Sequence, residues 1–142
     1  MKIGWLIAII AFGTICASAQ SKPADEPEVV AAVAPFFPAV AAAAKASGDV
    51  IVDVTIDSRG TVSDARAAAG HTLLKKICEV TAKRWKFIPA KGEETKRTAS
   101  LSFSFRVLDK SAAEFDMTPV FLPPYRIEIT TVKPKIETVT VH

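Results

Sequence analysis

The chain has 142 residues, 49% of them hydrophobic and 23% charged, with 18 Lys and Arg against 15 Asp and Glu. That length and apolar fraction fit one small domain with appendages, and the charged fraction gives no sign of wholesale disorder. A net charge of +3 is too mild to indicate a nucleic-acid binder.

The opening, MKIGWLIAIIAFGTICASAQ, carries Lys2, an apolar run and then Ala17-Ser18-Ala19, the small-x-small pattern of signal-peptide cleavage. Residues 1–19 read as an export signal cut before Gln20, which makes the protein periplasmic. The alternative is an uncleaved inner-membrane anchor, because the uncharged stretch 3–19 reaches the lower end of the roughly 17–25 residues that a spanning helix needs. A lipidated Cys16 is disfavoured by the bulky Ile15 before it. Cleavage removes Cys16 and leaves Cys78 without an intramolecular partner in an oxidising compartment, so core packing is its expected role.

Residues 20–34, QSKPADEPEVVAAVA, mix Pro, Ala and acids without a sustained period and read as a short linker. Fully extended it reaches at most ~50 Å, at roughly 3.3–3.6 Å per residue. PFFPAVAAAAKASG then predicts a brief helix that starts near Pro38 and ends before Gly48. In GDVIVDVTIDSRGTV, Val50, Val52, Val54 and Ile56 share one face and Asp49, Asp53, Thr55 and Asp57 the other, the pattern of a strand. Asp57-Ser58-Arg59-Gly60 is its hairpin turn, with Gly60 free to take a positive φ. The return strand from Thr61 is out of step, which predicts a bulge or a late strand start.

HTLLKKICEVTAKRW reads as a helix with Thr72 as N-cap and with Leu74, Ile77, Cys78, Thr81 and Trp85 at helical spacing. Trp85 and Phe87 place two large rings where helix hands over to strand, and Pro89 directs the chain into a turn. RTASLSFSFRVL is the strongest strand signal, with Leu101, Phe103, Phe105 and Val107 on one face and Ser100, Ser102, Ser104 and Arg106 on the other. The expected fold class is α+β: a small antiparallel sheet of about three strands packed against two helices, with an extended Pro-containing tail.

The residues give no sign of an enzyme. Only His71 and His142 are present, no Cys or His pair has metal-ligand spacing, and no nucleophile elbow, phosphate loop or dinucleotide fingerprint occurs. No cofactor or metal is expected. Residues 75–97 are basic on balance, which suits an acidic peptide or an anionic envelope polymer and acts mainly on association rate.

Several pieces in the right order resemble the TonB C-terminal domain family. These are PFFP followed by Ala41, the hairpin GDVIVDVTIDSRGTV, GHTLL, RWKFIPAKG and SLSFSFRV. The resemblance covers about residues 35–108, and its motif positions here are Phe37, Pro38, Gly48, Gly60, Trp85, Phe87 and Pro89. Ala34 stands where members with a receptor-binding role often carry Gln. The resemblance implies a binding module that takes an extended peptide of an outer-membrane transporter or envelope protein, the TonB box, as an added strand. Its site here would be the edge offered by Thr98, Ser100, Ser102, Ser104 and Arg106. Contact with the inner-membrane motor complex is expected only if the N-terminal segment stays uncleaved. The other reading is a structural or self-associating envelope domain whose sheet edge is capped by its own tail.

The tail, residues 109–142, carries two alternating runs, YRIEITTV and KIETVTV, which read as either a loose hairpin or disorder, and Pro119, Pro123, Pro124 and Pro134 restrict regular sheet there. Its end resembles a TonB box, so Glu137, Thr138, Val139, Thr140 and Val141 are expected to lie along a sheet edge of the same or a neighbouring chain.

Overall fold

In the computed structural model, which describes residues 26–92, 96–109 and 117–133, nine elements follow one another. They are β1 (Val29–Ala31), α1 (Ala39–Ala43), β2 (Gly48–Asp57), β3 (Val62–Ala69), α2 (Thr72–Ala82), β4 (Lys86–Phe87), β5 (Lys96–Leu108), β6 (Val120–Leu122) and β7 (Arg126–Val132). Five strands form one sheet in the order β3-β2-β5-β7-β6, and β1 pairs with β4 in a separate two-stranded sheet.

Alternation sets the sheet's two faces. β2 buries Val50, Val52, Val54 and Ile56, and β5 runs antiparallel beside it from Gly48 opposite Phe105 to Asp57 opposite Lys96, burying Leu101, Phe103 and Phe105 on the same side. β3 pairs with β2 through two register shifts, between Ile51 and Val52 and between Thr55 and Ile56, so the expected bulge is present. The turn is closed by the Asp57 carboxylate, whose Oδ1 accepts from Arg59 N at 3.0 Å and Thr61 N at 2.9 Å. Gly60 takes φ +84°.

α2 lays Leu74, Cys78, Thr81 and Ala82 into the core at helical spacing. Its cap is His71, whose Nδ1 accepts from Leu73 N at 3.2 Å; Thr72, expected as the cap, is the first helical residue. Trp85 also departs from expectation. Arg84 N and Trp85 N bond the carbonyls of Thr81 and Ala82, tightening the last turn, and Trp85 leaves the helix as a fully buried corner.

Two larger corrections concern the ends. The sheet has five strands, not about three, and it is mixed, because β7 lies parallel to β5. Within the described part of the tail the chain is not merely extended: Ile127 and Ile129 are buried at 3% and 4% exposure, and that apolar face docks residues 126–132. Pro119, Pro123 and Pro124 fall before β6 and in the turn between β6 and β7, so they do not interrupt the strands. At the other end, part of the expected linker is structured, since Val29 pairs with Phe87 and Ala31 with Lys86.

Candidate functional site at the flank of the long strand

β5 is thirteen residues long, and its two flanks are covered unequally. Ser102 N donates to Tyr125 O at 2.9 Å, which fixes the direction of the ladder. Even-numbered residues of β5 turn their main-chain N–H and C=O toward β7, and odd-numbered ones turn toward β2. The parallel pairing runs from Ser102 opposite Arg126 to Leu108 opposite Val132, and Lys133 N extends it to Leu108 O at 2.9 Å.

The five residues expected to offer a vacant edge therefore divide. The main-chain groups of Ser102, Ser104 and Arg106 face β7 and are taken, which corrects the expectation for those three. Thr98 and Ser100 turn theirs to a side along which, among the described residues, no strand lies.

Side chains add a polar outer face. Ser100 Oγ donates to Asp53 Oδ1 at 2.6 Å. Arg126 Nη2 donates to Ser104 Oγ at 3.3 Å and stands 3.6 Å from Asp49 Oδ1, while its Nε stands 3.7 Å from Glu128 Oε1. On the opposite side Arg97 Nη2 donates to Ile88 O at 2.6 Å, and its buried Nε has no partner among the described residues.

An aromatic corner holds the flank in place. Trp85 meets Phe103 edge-to-face at 5.9 Å, Phe121 at 6.1 Å and Phe87 at 6.3 Å, and its indole N–H donates to Val33 O at 2.8 Å. Phe37 sits edge-on to Phe105 at 5.2 Å, and Pro38 precedes α1 as its cap residue. Gly48 takes φ +109°, and Pro89 is exposed just after β4. Glu137, Thr138, Val139, Thr140 and Val141 lie outside the described residues.

Tyr125 joins three segments at the junction of the covered and open halves. Its carbonyl receives Ser102, its ring meets Phe87 at 6.2 Å, and its hydroxyl donates to Pro27 O at 2.5 Å. No local pattern in the sequence points to these contacts, since Tyr125 belongs to a segment that reads as tail. Burial pushes the phenol up to about 12, with the Glu26 carboxylate adding to the shift and Arg97 opposing it. A folded pKa raised above the unfolded value of 10.0 gives stability that is whole below pH 10 and lost as pH climbs toward 12. Tyr125→Phe is therefore expected to cost about 1 kcal/mol at neutral pH through the lost hydrogen bond. It should also make the alkaline decline between pH 10 and 12 shallower, which urea unfolding across that range measures.

The outer edge of β3 is guarded from the helix side, where Ala67 N donates to Glu79 Oε1 at 3.0 Å. Among the described residues, no group of three or more His, Cys, Asp or Glu is placed to hold a metal ion, and no helix is long and apolar enough to cross a membrane.

No curated protein matches the chain. Among solved structures, the solution NMR structure of the Pseudomonas aeruginosa TonB CTD is similar at 25% identity, over 62% of this chain and 91% of that one, with a TM-score of 0.46. Residues 33–107 match the family described as Gram-negative bacterial TonB protein C-terminal, a span that takes in both flanking glycines of the hairpin, the aromatic corner and nearly all of β5. The chain belongs to the TonB C-terminal domain family.

Proposed function

We propose that this domain is a TonB-like periplasmic binding module. It takes an extended peptide of an outer-membrane transporter or another envelope protein as an added strand, serving TonB-dependent transport as an adaptor without catalysis. The observation that carries this reading is the flank of β5 at Thr98 and Ser100, where two amides and two carbonyls face outward without a strand beside them among the described residues. Main-chain bonds of that kind give affinity and alternate side chains give selectivity. Lys96 and Arg97 at the same end of β5 favour the approach of an acidic peptide.

Magnitude limits what this half-flank does alone. Four hydrogen bonds at about 0.5–1.5 kcal/mol each yield a few kcal/mol before the cost of association, which is weak binding. A guest must therefore add side-chain contacts. The test is titration of the full chain with a labelled TonB-box peptide. Saturable binding is expected, weakened at least about tenfold, or ~1.4 kcal/mol, in Thr98→Pro and Ser100→Pro. Proline there removes an N–H that the fold does not use, a position strands tolerate. Absence of saturable binding, or affinity indifferent to both substitutions, contradicts the reading.

A second reading draws on β7. A strand that docks on β5 and buries two isoleucines is a fixture of the sheet, which favours a structural or self-associating envelope domain whose edge is partly capped by its own chain. That reading expects no saturable peptide binding.

A further inference from the structure

The occupant of the covered half of β5 is written twice in the sequence. β7 reads Arg126-Ile127-Glu128-Ile129-Thr130-Thr131-Val132, and a little further on the chain reads Lys135-Ile136-Glu137-Thr138-Val139-Thr140-Val141. A basic residue, Ile and Glu open both segments, and Thr-Val closes both. In β7 each of the opening residues has a role on the flank. Ile127 is buried against the core, Arg126 bonds Ser104 and stands beside Asp49, and Glu128 lies against Arg126. The flank of β5 thus already accepts this pattern as a parallel strand.

We propose that the open half of that flank, residues 96–100, takes residues 135–141 of a second copy of this chain as an added strand, so that the protein associates head to tail. This rests on the reading of the flank as a strand acceptor and names one ligand for it. Tyr125 already lies level with Leu101, so the stretch left open among the described residues is residues 96–100, and five of the seven residues of the repeated segment can pair there without displacing β7.

Reach decides between the chain's own segment and a neighbour's. Lys133 N is bonded to Leu108 O, which sets the end of β7 level with the end of β5. From that level to residue 101 is seven strand steps, ~23 Å at about 3.3 Å each. Only Pro134 stands between Lys133 and Lys135, and that link spans roughly 7 Å. With β7 docked, the segment cannot turn back onto its own open flank, while a neighbour's can lie there freely. Because donor and acceptor are different surfaces, any open assembly leaves one of each unfilled at its ends, and association continues with concentration unless a ring closes.

The test is sedimentation of the full chain, purified after export, over a range of concentrations. Concentration-dependent association is expected. Ser100→Pro, which spoils the acceptor, and Ile136→Asp, which spoils the donor, should each raise the apparent dissociation constant at least about tenfold. Mixed together, the two variants should recover a 1:1 complex and nothing larger, since one keeps its donor and the other its acceptor. Thr98→Pro serves as a second acceptor variant if Ser100→Pro folds poorly. A chain that stays monomeric throughout overturns the proposal, as does association untouched by either substitution or a mixture that fails to pair. If TonB-box peptide binds and depends on Ser100 while the chain stays monomeric, the self-ligand is wrong and the binding module stands. If the chain associates as described and the peptide does not bind, the reverse holds.

Discussion

Trp85→Ala is expected to destabilise the domain by about 3–5 kcal/mol, the range for deleting a fully buried large aromatic. The ring is wholly buried and contacts Phe87, Phe103 and Phe121, so its loss opens a cavity bordered by β4, β5 and β6 together. The Val33 carbonyl also loses the indole N–H that meets it at 2.8 Å, which frees the segment leading to α1. Set against total stabilities of roughly 5–15 kcal/mol for domains in general, the change removes much of the folded state's margin. Urea unfolding followed by circular dichroism measures it. Trp85→Phe should fall between, keeping part of the packing and losing the hydrogen bond. A loss below about 1 kcal/mol for the alanine variant would mean that this corner does not organise the fold.

Gly60→Ala should rank second. Gly60 has φ +84°, a region that costs an L-residue roughly 1–2 kcal/mol by itself. Lack of space matters more: a Cβ at this position would sit 1.9 Å from the Phe87 carbonyl oxygen, which is main chain and cannot swing away. Moving it disturbs the 2.8 Å bond from Phe87 N to Gly60 O, the tie between the hairpin turn and β4. A total loss of about 3–4 kcal/mol follows. Gly48→Ala provides the control, because Gly48 has φ +109° and a Cβ there meets nothing within 4 Å. It should suffer the backbone strain alone, so the difference between the two melting curves isolates the clash.

How much of this was legible in the sequence depended on whether an element's signal was local. β2 and β5 were readable because Val50 to Ile56 and Leu101 to Val107 alternate over long runs, and a buried face leaves only one register open. The Asp57–Gly60 turn was readable because the carboxylate bonds its own turn's amides. β1 and β4 have three and two residues, too few for any period, and exist because Phe87 and Trp85 pin that corner. Trp85 matched a helical spacing that the helix itself does not reach, because the tightened turn at Lys83 and Arg84 ends it first.

The candidate site was half legible for the same reason. The serine face of β5 was plain, and so was the alternation around Ile127 and Ile129. What no local pattern states is that one would lie parallel to the other. Parallel neighbours are joined by crossovers, and the choice of flank is settled by non-local burial. That one pairing decides that Ser102, Ser104 and Arg106 are covered and that Thr98 and Ser100 are not. Four prolines in the tail pointed away from sheet, yet those among the described residues occupy the approach and the turn.

Amide hydrogen exchange resolved along β5 tests the central claim most directly. In the free protein, kept monomeric by Ile136→Asp, Ser102 and Ser104 should exchange slowly and Thr98 and Ser100 quickly. Saturating TonB-box peptide should slow the latter two by at least about tenfold while leaving Ser102 and Ser104 as they were. Slow exchange at Thr98 and Ser100 in that monomeric variant without any peptide, or no change there when peptide is added, would show that this stretch of the strand is not where a guest is received.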